Sequence, residues 1–97
     1  MVVTSGSSMT PLIEPGSELI IDWHPKAFAL GDVVVFINQY HRFVAHRIVA
    51  VDSAQRRKRY LIKGDNTRHD DGWFDERQLV GKVSTIVRGG NAVDEDS

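Results

Sequence analysis

Three short segments carry polar residues that a plain β-domain does not need, and together they hold the parts of a nucleophilic relay. The first is Ser5-Gly6-Ser7-Ser8-Met9-Thr10-Pro11. Gly6 admits backbone angles closed to other residues, and Pro11 drives Thr10 toward extended backbone. Ser8 is therefore expected on a constrained turn that presents its hydroxyl and its N–H. The second segment is Phe43-Val44-Ala45-His46-Arg47-Ile48-Val49-Ala50-Val51. Strand alternation puts His46 on one face with Val44, Ile48 and Ala50, a poorly solvated setting that suits a general base. The third, Lys63-Gly64-Asp65-Asn66-Thr67-Arg68-His69-Asp70-Asp71-Gly72, packs three carboxylates, an amide and a histidine between two glycines. Such a loop forms Asx turns, binds a cation or orients a histidine. A serine becomes a useful nucleophile beside a base, and the base needs an acceptor on its other nitrogen. The attacked carbonyl needs N–H donors where its charge develops. Ser8, His46 and one of Asp65, Asp70 and Asp71 supply these parts in chain order; spacing alone does not choose among the three carboxylates.

The elements that must position these groups are strands. Apolar, β-branched runs occur at 18–23, 32–37, 43–51, 58–63 and 80–87, separated by Gly, Pro, Asn and Asp clusters. That pattern predicts an all-β domain, with one helical turn near 75–79. A chain of 97 residues supports one domain with a modest core, expected over 1–88 and followed by a flexible acidic tail at 89–97. Twelve Lys and Arg against thirteen Asp and Glu argue against a nucleic-acid partner. The charge run Arg56-Arg57-Lys58-Arg59 reads as a solvated hairpin end, with a polyanion or membrane-headgroup contact as the other reading. The absence of cysteine excludes disulfides, thiolate metal sites and a cysteine nucleophile. The loop at 64–72 lacks the EF-hand glutamate. His41 and His46 are five apart, on opposite faces of a continuous strand, so neither metal nor cofactor is expected. The longest apolar run, Val33-Val34-Val35-Phe36-Ile37, is far short of the ~20 residues of a membrane span, and no secretory signal pattern opens the chain.

Taken in order, Ser8-Met9-x-Pro11, Gly31-Asp32-Val33-Val34-Val35-Phe36, His46-Arg47-Ile48, Gly64-Asp65-Asn66 through Asp71, and Val80-Gly81-Lys82-Val83 resemble the boxes of type I signal peptidases. Those peptidases belong to a wider group of serine peptidases that includes the self-cleaving LexA-type repressors. The resemblance covers roughly 3–87 and implies a coiled β-sheet. Most bacterial members carry a lysine base where this sequence has His46; the histidine is similar to the endoplasmic-reticulum and archaeal subtype, which uses Ser, His and Asp. By that resemblance Ser8 is the nucleophile, His46 the base and Asp71 the orienting carboxylate, with Asp65 an accessory or structural acid. Gly6, Ser7 and the Ser8 N–H would line the oxyanion hole, and Met9 and Pro11 would touch substrate. Many members have a serine where this chain has Gly6, and losing one oxyanion donor costs about 100- to 1000-fold in turnover, so an enzyme that is slow or dependent on a bound partner is implied. The implied activity is that of a serine endopeptidase cutting a leader, signal or propeptide after small residues, without cofactor. Its rivals are a self-processing LexA-like regulator and a non-catalytic peptide-binding or dimerisation module of the same fold. Membrane members carry an anchor before the serine box. The chain is therefore expected to be cytoplasmic if complete, with peripheral membrane contact open to it, and membrane-associated if an anchor was removed.

Overall fold

A strand with no polar side has to be covered on both faces, and the run Val33-Val34-Val35-Phe36-Ile37 sets the architecture in that way. The computed structural model describes residues 2–3, 6–54, 56–88 and 91–93. Among them are eight strands: β1 (Val2–Val3), β2 (Glu18–Asp22), β3 (Val33–Ile37), β4 (Phe43–Asp52), β5 (Arg59–Lys63), β6 (Gly72–Asp75), β7 (Leu79–Arg88) and β8 (Asn91–Val93). They form one antiparallel sheet in the order β1-β2-β7-β3-β4-β5-β6, with β8 also paired to β7. The fold is all-β, as the turn-separated apolar runs predict. The helical turn expected near 75–79 is a 3-10 turn, η1 (Glu76–Gln78), capped by Asp75 in a reciprocal capping box with Gln78.

β3 lies between β7 and β4, and its side chains divide between two clusters. Val33 and Val35 join Met9, Ile13, Leu19, Val83 and Ile86. Val34 and Phe36 join Ile48, Tyr60, Ile62 and Leu79. Complete burial of one such aliphatic side chain contributes about 1.5–3 kcal/mol, so β3 anchors both faces. β2 and β5 show ordinary alternation instead: Leu19 is buried and Ile20 exposed, while Tyr60 and Ile62 are buried between half-buried neighbours. Register shifts interrupt the pairing at Ile20/Ile21, Val35/Phe36 and Ile48/Ala50. Bulges of this kind bend a strand and increase its twist.

Three strands are absent from the sequence-based expectation. β1 and β8 span two and three residues, and β6 spans four beginning at a glycine, too short to show periodicity. Asn91–Val93, expected as part of a flexible tail, pairs with Ile86, Val87 and Arg88 of β7; the other residues of 89–97 lie outside the described residues. No helix among the described residues is long and apolar enough to cross a membrane.

Candidate active site

β4 carries His46 opposite Val34 of β3, and the imidazole side chain is 8% exposed. The strand is pinned immediately beyond it. Ile48 exchanges backbone hydrogen bonds with the 31–32 corner, donating to Asp32 O at 2.8 Å and accepting from Gly31 N at 2.9 Å, and Arg47 Nη1 donates to Gly31 O at 2.8 Å. Phe36 packs edge-on against the imidazole, with ring centroids 6.0 Å apart. The ring is thus held from its flanks with both nitrogens left for polar partners.

Those partners come from two loops distant in sequence. His46 Nδ1 lies 2.6 Å from Asp71 Oδ2, and His46 Nε2 lies 2.9 Å from Ser8 Oγ. A carboxylate can only accept, so Nδ1 carries the proton toward Asp71; in the neutral ring Nε2 then presents a lone pair to the Ser8 hydroxyl. Asp71 owes its place to the start of β6, where its N–H donates to Ile62 O at 2.7 Å. The neighbouring Asp70 turns the other way and accepts the Gly72 N–H at 2.9 Å. Asp65 faces Arg47, which donates from Nε and Nη2 to its two oxygens, each at 2.8 Å. Of the three carboxylates the sequence leaves open, the structure brings Asp71 to the imidazole, Asp65 to Arg47 of β4 and Asp70 to the Gly72 N–H.

The Ser8 turn is held from both sides. Met9 and Ile13 sink into the first cluster, and Ile13 N donates to Met9 O at 2.9 Å. On the other side, Asn66 N donates to Ser8 O at 2.8 Å and Asn66 Nδ2 donates to Ser7 O at 3.0 Å. Ser7 O also accepts from Thr10 N and Thr10 Oγ1. Gly64 is where this turn meets β5. A Cβ there would sit 2.8 Å from Ser8 O and 3.0 Å from His46 Nε2, inside van der Waals contact, so this approach needs glycine.

The remaining site residues divide. Gly6 and Ser7 lie exposed beside Ser8, with Gly6 at φ 81° in the left-handed region that glycine tolerates. Among the described residues no acceptor takes the Ser8 N–H. Pro11 is exposed. Met9, expected among the substrate contacts, is 3% exposed and belongs to the core, where its Sδ accepts the Asp65 N–H at 3.2 Å. Its apolar side chain is worth more buried than facing water, and the tight turn sends it away from Ser8. Ser5 lies outside the described residues. Arg47, Gly64 and Asn66 stand in the quoted boxes, but sequence alone assigns them no part. Their signal was adjacency: Arg47 follows His46 onto the opposite strand face, and Gly64-Asp65-Asn66 follows the end of β5.

A hydroxyl, an imidazole and a carboxylate in one chain of contacts is the arrangement that activates serine in hydrolases of unrelated folds. Over 81 residues the chain is 37% identical to the signal peptidase complex catalytic subunit SEC11 of Plasmodium falciparum (isolate 3D7), a match covering 80% of this chain and 44% of that protein. The chain thus spans less than half the length of this relative, and the similarity supports a signal-peptidase-like relationship. No protein-family model matches the chain, and no solved structure matches it significantly.

Proposed function

We propose that this chain carries the catalytic centre of a serine endopeptidase of the signal peptidase type, cutting a leader, signal or propeptide after small residues. The observation that carries this reading is the continuous contact from Ser8 Oγ through His46 to Asp71, at 2.9 and 2.6 Å. Ser8 Oγ attacks the scissile carbonyl carbon as its proton passes to His46 Nε2, and Asp71 holds the imidazolium that results. Among the described residues no acceptor takes the Ser8 N–H, which leaves it as a backbone donor for the developing oxyanion. Collapse breaks the C–N bond while His46 returns the proton to the leaving amine. Water then gives a proton to His46, attacks the acyl carbon and releases the acid, restoring Ser8. Asp65 keeps a structural part through Arg47. Similarity to a signal peptidase subunit supports peptide substrates, and the resemblance of the boxes supports small residues before the cut.

The test is cleavage of peptides with alanine before the scissile bond. The Ser8→Ala protein should retain its far-UV circular dichroism and lose turnover by about a million-fold, the scale seen when a relay nucleophile is removed. A Ser8→Ala protein that cleaves as well as the parent would remove the reading and leave a non-catalytic module.

A further inference from the structure

β5 and β6 form a hairpin whose connecting loop carries Asp65 and Asp71, and its opposite end opens on a different kind of surface. There Arg56 and Arg57, from the β4–β5 connection, Arg59 of β5 and Arg77 of η1 line a cleft of about 340 Å³ with Trp73 and Asp75. The Arg59 guanidinium lies 6.0 Å from the centre of the Trp73 ring. Arg57 and Arg77 reach the Asp75 carboxylate at 3.7 and 3.3 Å, yet their side chains are 59% and 70% exposed. Of the four guanidinium groups, those of Arg57 and Arg77 reach the one carboxylate of the cleft. Each presents five N–H donors in a planar fork, so most of that capacity faces the cleft and the solvent. The chain as a whole has a formal charge of −1, so the positive charge here is a local concentration.

We propose that this cleft docks an acidic peptide segment of a protein partner, at a site separate from Ser8 and independent of its chemistry. Guanidinium forks match carboxylates in two-point contacts, which supplies the charge complementarity. β6 ends the strand order of the sheet, so an extended chain has a sheet edge to lie along. Trp73 is 43% exposed and adds an aromatic ring beside the cations. A nucleic acid would meet a net-anionic chain with one cationic spot rather than a basic stripe. A flat headgroup layer fits a recess containing Asp75 poorly.

The test is a fluorescence titration at low ionic strength with octaglutamate, alongside octaglutamine, oligothymidylate, and phosphatidylcholine vesicles containing phosphatidylserine. In a Trp23→Phe background Trp73 is the sole tryptophan, and its emission should change on adding octaglutamate. Replacing Arg56, Arg57 and Arg77 together by Gln, all exposed positions, should weaken octaglutamate binding by at least about ten-fold. Arg68→Gln and Ser8→Ala should bind as the parent does, so failure here is distinct from failure of the peptidase reading. The proposal is overturned if octaglutamate does not bind, if the triple variant binds it as tightly as the parent, if Arg68→Gln weakens it equally, or if oligothymidylate or the vesicles bind more tightly.

Discussion

The two ends of the β5–β6 hairpin use charge in opposite ways. At the loop end, carboxylates meet their partners at 2.6 to 2.8 Å, on side chains about a quarter exposed or less, 27% being the most for Asp71. At the far end, arginines reach Asp75 at 3.3 and 3.7 Å from side chains more than half exposed. Short contacts with limited water access hold a geometry; long, solvated contacts hold charge in reserve at little cost in stability. One hairpin thus separates a preorganised site from an adaptable surface, and the spacing of the two along β5 keeps them from interfering.

Breaking the loop end should have the larger effects. Asp71→Asn removes the acceptor that sets the tautomer of His46, and turnover should fall by about 10,000-fold. Asp65→Asn, which loosens the Arg47 pair instead, should cost far less; steady-state kinetics of the two variants side by side check the division of labour between the carboxylates. Next comes Gly64→Ala, whose new methyl group would press on Ser8 O and His46 Nε2. A displacement near 1 Å costs about 100-fold, and it should appear in kcat more than in KM.

The far end should respond to pH and not in catalysis. The Arg77 backbone N–H, then its guanidinium, holds the Asp75 carboxyl below its ordinary value of 3.8. On acidification the unfolded chain takes up this proton first. The stabilisation from Asp75 is therefore complete above the unfolded value and is lost as the pH falls through the folded one. Urea midpoints for parent and Asp75→Asn should differ near neutrality and converge as acidification passes below 3.8 and through the folded value, with peptide cleavage near neutrality unchanged.

Much of this arrangement was legible in the residues, for reasons that differ by element. The longer strands announce themselves because β-branched runs end at Gly, Pro or Asn. The doubly buried β3 is legible because it has no polar position from Val33 to Ile37. Ser8 and His46 stood out as polar residues held by a turn and by an apolar strand face. Asp71 did not stand out from Asp70 and Asp65, because a loop has no periodicity to say which way a side chain points. The choice depends on where β6 begins and on the bond from Asp71 N to Ile62 O. Met9 misled for the same reason: beside Ser8 on a turn, its chemical type predicted burial better than its neighbour predicted exposure. The arginine cleft was legible as a charge run but not as a cleft, since Arg77, Trp73 and Asp75 join it only through pairing of β5 with β6.

The most direct check on the central relay is covalent. An alanine-derived diphenyl phosphonate, attacked by an activated serine with loss of phenoxide, reports the nucleophile by peptide mass mapping. The adduct should sit on Ser8, with none on Ser5 or Ser7, and should disappear in His46→Ala. An adduct on a neighbouring serine, or one on Ser8 that forms equally fast without His46, would contradict a base-activated Ser8.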